Sequence, residues 1–171
     1  MTWSRFSTAL AAFFDLALRR GDATCVIATE DVREGLGRRL RARGWEVGAP
    51  HTYERYLVID AAEALNRFIR EGLSDADLLG KIAAELDQYR LAVAEGPASR
   101  LTIFGNMVVP LSTAGNAEAV IALERLWNTL THGLPFLTLC GYSTSCFHDR
   151  LSGLWSETCD EHWAASHATD V

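Results

Sequence analysis

No apolar stretch of this 171-residue chain reaches the length of about 18 residues that a membrane-spanning helix needs. The nearest approach is the N-terminal MTWSRFSTALAAFFDLALRRGD, and Asp15 interrupts it. No small-residue cleavage site follows, which argues against a signal peptide. Trp3, Phe6, Leu10, Phe13, Phe14 and Ala17 fall at helical spacing, so the segment reads as an amphipathic helix of a cytoplasmic protein. Clustered positive charge is also scarce. The formal net charge is −6, and RRLRAR at 38–43 is the one basic cluster. Leu36 and Leu40 give that segment an apolar stripe, so its arginines read as the solvated face of a helix. A nucleic acid is therefore not an expected partner, because a phosphate backbone calls for a basic patch. The four cysteines, Cys25, Cys140, Cys146 and Cys159, are too few and too scattered for a disulfide framework in a chain this long. No internal repeat, low-complexity tract or linker divides the sequence. It reads as one domain over 1–171, with a core at about 3–150 and a helical tail at about 151–168.

Several catalytic signatures are missing as well. No G-x-x-x-x-G-K-[ST] occurs, and GLGRR at 35–39 falls inside a predicted helix. There is no G-x-G-x-x-G. ATP is thus expected to be neither hydrolysed nor tightly bound. GYSTS at 141–145 begins like a nucleophile elbow but ends in Ser145 where a glycine is required. Cys146 and His148 share a face only if their segment is extended, so a thiolate pair is not expected. Cys146, His148, Cys159 and His162 spell C-x-H-x10-C-x2-H, a set of side chains that zinc accepts. That spacing fits no common zinc module, and core cysteines with surface histidines are the plainer reading. The expectation is a protein without enzymatic activity, cofactor or metal.

What is present is an alternation of apolar runs and helical periodicities. Strands are predicted at 23–29 (ATCVIAT), 45–47 (WEV), 56–60 (YLVID), 100–105 (RLTIFG) and 135–142 (PFLTLCGY). Helices are predicted at 3–20, 31–43, 61–70, from Ser74 to about 94, and from a cap at Asn116 to about 131. Continuous rather than alternating apolar strands point to burial on both faces. The fold class is α/β, a three-layer domain with a mostly parallel central sheet flanked by helices. Ligands of such sheets collect outside the carboxyl ends of the strands. Those ends carry Thr29 with Glu30, Asp60, Asn106 with Met107, and the run from Tyr142 to Cys146. Thr29, Asp60, Asn106, Met107, Tyr142 and Ser145 are therefore the candidate ligand-binding residues, with Asn106, Asp60 and Tyr142 expected to share a pocket. The alternative is that Gly105 and Asn106 only form a turn while Asp60 caps the helix that begins at Ala61.

FGNMVVPLSTAGNAEAVIALERLWNTL, then LCGYSTSCF, then CDEH follow one another in a succession that resembles the MEDS domain. This is a sensory domain named after methanogens, methylotrophs and a dichloromethane-responsive regulator. RRGDATCVIATEDVREGLGRRLRARG and YLVIDAAEALNRFIREGLSDADLL extend the likeness over nearly the whole chain. The resemblance implies a RecA- or KaiC-like fold without a working phosphate loop. It also implies a signalling role beside a histidine kinase or regulator protein, with small hydrocarbon derivatives as proposed stimuli. Two features depart from the family. Asn106 stands where a Glu is common, which favours neutral hydrogen bonding over acid–base chemistry. The family's usual strand ahead of the first helix has no counterpart, so the chain is either a shortened member or one whose sheet lacks a strand; in the second case an exposed edge could pair with another chain, as in a homodimer. The leading expectation is a non-enzymatic cytoplasmic sensory domain that binds a small molecule or protein partner. A degenerate nucleotide-binding or enzymatic domain and a ligand-free protein-interaction module are the alternatives.

Overall fold

The computed structural model describes residues 3–47, 55–71, 76–96, 98–106 and 117–142. Their elements run α1 (Trp3–Arg19), β1 (Ala23–Ala28), α2 (Glu30–Arg41), β2 (Tyr56–Asp60), α3 (Ala61–Glu71), α4 (Ala76–Val93), β3 (Leu101–Gly105), α5 (Ala117–Thr131) and β4 (Phe136–Cys140). The four strands form one all-parallel sheet in the order β2-β1-β3-β4. Thr24 is level with Tyr56 on one side and with Thr102 on the other. The chain thus winds outward from β1 to β2 and then returns across β1 to start β3. The strand order reverses between β1 and β3, and this is the topological switch point of the sheet.

Alternate residues of each strand feed opposite layers. Val26, Ala28, Tyr56 and Phe104 pack with Leu10, Phe14 and Leu18 of α1 and with Leu36 and Leu40 of α2. Ala23, Cys25, Ile27, Leu101 and Ile103 face the other way, against Leu86, Ile82, Tyr89, Ala64 and Trp127 of α3, α4 and α5. The result is a three-layer α/β domain. Each fully buried Leu or Phe contributes about 1.5–3 kcal/mol of transfer free energy, so the α1–α2 seam is a main source of stability. At the end of α1 the chain turns through Gly21 at φ +83°, and an added Cβ would meet the Glu95 side chain at 2.8 Å. Only glycine satisfies both demands. Gly141 is constrained differently, since a Cβ there would lie 2.7 Å from the Phe104 ring.

Two sequence expectations change here. Residues 45–47 form no strand. Gly44 at φ +89° ends α2, and the Trp45 indole donates to Asp15 Oδ1 of α1 at 2.7 Å beneath the Arg19 guanidinium. Arg41 then holds the Val47 carbonyl at 2.8 Å, so the segment ties α2 to α1 instead of entering the sheet. Burial on both faces holds for β1 and for the body of β3, whereas Val58 of β2 is 39% exposed and β4 is half-buried. These are the edge positions, where one lateral neighbour is absent among the described residues. The caps at Ser74 and Asn116, the tail at 151–168, Met107, Ser145, and the Cys146, His148, Cys159 and His162 set lie outside the described residues.

Candidate functional site

At the switch point a single residue, Thr29, separates β1 from α2. That leaves no room there for a loop of amides around a phosphate, and the first turn of α2 carries Glu30 and Asp31. The Asn106 side chain stitches the two strand ends together. The Thr29 amide donates to Asn106 Oδ1 at 3.1 Å, and Asn106 Nδ2 donates to Thr29 Oγ1 at 3.4 Å. The Asn106 amide donates to the Ile27 carbonyl at 3.0 Å, so this residue is anchored through backbone and side chain.

Asp60 closes β2 and opens α3. Its Oδ1 accepts from the amides of Ala62 at 2.9 Å and Glu63 at 3.0 Å, satisfying two orphan donors of the first helical turn. Its Oδ2 accepts from Arg33 Nη2 of α2 at 2.6 Å. The Glu63 and Ala62 amides, with the Arg33 guanidinium beside them, hold the carboxyl below the usual carboxylate range.

A cavity of about 430 Å³ lies between the sheet and helices α3, α4 and α5. Its floor is the carboxyl-terminal part of the strands, with Ile27, Ile59, Ile103 and Gly105, and its walls include Leu57, Ile82, Leu86, Leu123 and Trp127. Among these apolar groups stand Asp60, Glu63, Glu85, Glu124, Thr138 and Cys140. A concave, mostly apolar space of this size with a few placed polar groups has the form of a small-molecule site. Glu124 is the deepest carboxylate, only 4% exposed. The Tyr142 hydroxyl donates to its Oε1 in a short hydrogen bond, and the Cys140 thiol approaches its Oε2 at 3.6 Å. Burial and then the Glu124 charge push the Cys140 thiol well above its ordinary value, so it stays protonated as a donor. The Trp127 indole donates to Thr138 Oγ1 across the same wall at 3.4 Å.

The candidates read from the sequence thus fall into separate places. Asp60 lines the cavity while capping α3. Thr29 and Asn106 are joined to each other at the switch point, and neither lines the cavity, whose wall there is Gly105. Tyr142 reaches the cavity through Glu124. Met107 and Ser145 are outside the described residues. Glu124, Cys140 and Trp127 are not among the candidates read from the sequence. Glu124 and Trp127 are three apart on one helix, hence on one face. A carboxylate within the apolar stripe of Val120, Leu123 and Trp127 was the available signal.

Among the described residues no group of three or more His, Cys, Asp or Glu side chains is placed to hold a metal ion. Among them, too, no helix is long and apolar enough to cross a membrane. Neither a curated protein nor a solved structure matches the chain. Its residues 3–154 match the profile described as MEDS, the methanogen/methylotroph, DcmR sensory domain, and the chain therefore belongs to the MEDS family of sensory domains.

Proposed function

We propose that this sensory domain takes a small, largely apolar molecule into the cavity between the sheet and α3–α5, without turning it over. Occupancy is then passed to a separate kinase or regulator in the cytoplasm. The observation that carries this reading is the cavity itself, about 430 Å³ in volume and set at the carboxyl ends of parallel strands. Its walls come from two stretches of chain, α3–α4 ahead of β3 and α5–β4 after it. A bound molecule touches both stretches, so it shifts the balance between any two packings of α5 against α4 that differ in contact with it.

The test is a thermal-shift screen of small apolar molecules on the wild-type chain and on Ile82→Trp, which fills the space. A ligand present at 100 times its Kd stabilises by about 2.7 kcal/mol. For a domain of this size that is a rise in Tm of roughly 5–10 °C. The reading expects such a rise in the wild type and its loss in the folded Ile82→Trp variant. An undiminished rise in that variant would place the ligand elsewhere. ATP with magnesium should give no shift.

A further inference from the structure

Glycine in a β-strand lowers stability, because it gives up the most conformational freedom on folding and packs nothing. Gly105 takes such a place in β3, level with Ile27 of β1 on one side and Cys140 of β4 on the other. The ladder continues past it, since the Asn106 amide donates to the Ile27 carbonyl and the Gly141 amide to the Gly105 carbonyl. Neither usual reason for glycine applies here. Its φ lies outside the left-handed region, and a Cβ built on it meets nothing within 4 Å among the described residues. At Gly21 and Gly141 the same atom would meet a side chain at 2.8 and 2.7 Å. What Gly105 borders is the cavity. Resting on the cavity being the ligand site, we infer that Gly105 is its specificity-determining residue: the bare backbone there forms a hollow that receives the apolar end of the ligand and sets how long that ligand can be.

Direction, shape and chemistry support that assignment. Leu101 and Ile103 face the layer of α3–α5, so strand alternation aims position 105 the same way, into the cavity. Ile27 and Cys140, its neighbours in register, line the same cavity. Their side chains stand on either side of a gap two strand spacings wide, each spacing about 5 Å, and the base of that gap is backbone. One flank is the Ile27 hydrocarbon. The other is the Cys140 thiol, which turns to Glu124 Oε2 at 3.6 Å. The Gly105 carbonyl already accepts from the Gly141 amide at 2.8 Å. A hydroxyl or charged group seated here would give up its water for no new partner, whereas an alkyl terminus or a ring edge gives up nothing. The ligand therefore enters apolar end first. A methyl group at position 105 would intrude on the hollow, and a valine side chain would fill it.

The 1-alkanols from butanol to octanol are suitable probes, because they share one head group and differ only in the length of the apolar end. Binding is measured by calorimetry and thermal shift on the wild-type chain, on Gly105→Ala and on Gly105→Val. In the wild type, affinity should rise about fourfold per methylene until the chain fills the cavity. Gly105→Ala should leave the shortest alkanol that binds unaffected and weaken the longest by at least about fourfold. Gly105→Val should weaken the longest by at least about tenfold. Both variants are also unfolded in urea without ligand, where Gly105→Ala should be at least as stable as the wild type. A less stable or unfolded Gly105→Ala would show that the glycine serves the fold, and it overturns the inference whatever becomes of Gly105→Val. Long alkanols that bind both folded variants as they bind the wild type overturn it too, and the cavity remains the site if Ile82→Trp abolishes their binding. Equal weakening of short and long alkanols also overturns it, since Gly105 then sets no length. If no alkanol binds the wild type, the cavity reading fails and the inference fails with it.

Discussion

Removing the Asn106 side chain deprives the Thr29 amide of its acceptor at a buried strand junction. Asn106→Ala should therefore cost about 1–3 kcal/mol in urea unfolding, the penalty for a stranded donor. A loss below a few tenths would mean that solvent replaces the bond. Asp60 makes a prediction in pH. Its folded-state value is depressed, foremost by the Glu63 amide, so it binds a proton less readily when folded than when unfolded. The stability it adds is therefore fully present above the ordinary carboxylate value of about 3.9 and fades as pH falls through the lowered one. In Asp60→Asn the side chain still caps α3 but no longer pairs with Arg33. The stability gap between wild type and this variant should be present at pH 7 and close on acidification toward pH 3. A gap that widens with acid would reverse the assigned sign. At this scale the sequence marked which positions are polar ends of apolar strands, and it did so correctly for Asn106 and Asp60. It could not show their partners, because Thr29 and Arg33 meet them only through the strand order.

Among the elements, α5 shows both sides of sequence legibility. The spacing of Val120, Leu123 and Trp127 marks a helix with one apolar face, and the helix is there. The same pattern reads equally well as a face pressed against a core or a face lining a space, since periodicity records which residues point inward and not what they meet. Trp127 packs on the cluster around Ile103 and also borders the cavity. Trp127→Ala should accordingly cost near or below the low end of the usual range of about 3–5 kcal/mol, because part of its indole has no partner to lose. A loss at the top of that range by chemical denaturation would show the indole to be fully packed. The segment 45–47 failed for a different reason. Three residues carry too little periodicity to separate a strand from a clip, and Trp45 follows the contact it makes with Asp15.

For the whole molecule, alternation of strands and helices was enough to place the chain among parallel α/β domains, since each crossover needs a helix on a sheet face. Strand order was not legible. Apolar runs at β1 and β3 mark the two interior strands, but nothing local says that β3 returns to the far side of β1. The cavity depends on that return, because its floor combines Ile27 of β1 with Ile103 of β3. The central position of β1 also sets a timetable. Its partner on one side follows after one short helical crossover, whereas its partner on the other side arrives only after α3 and α4 have been threaded through. Closing the longer loop is entropically costlier, so the β1–β2 ladder should form before the β1–β3 ladder. Two adjacent amides can time the two events separately. The Thr24 amide is bonded to Arg55 at 2.8 Å and the Ala23 amide to Arg100 at 3.0 Å. In pulse-labelled refolding Thr24 should become protected against exchange ahead of Ala23, and simultaneous protection would mean that the sheet assembles in one step. Two neighbours on a single strand would then act as separate clocks, one for each half of the fold.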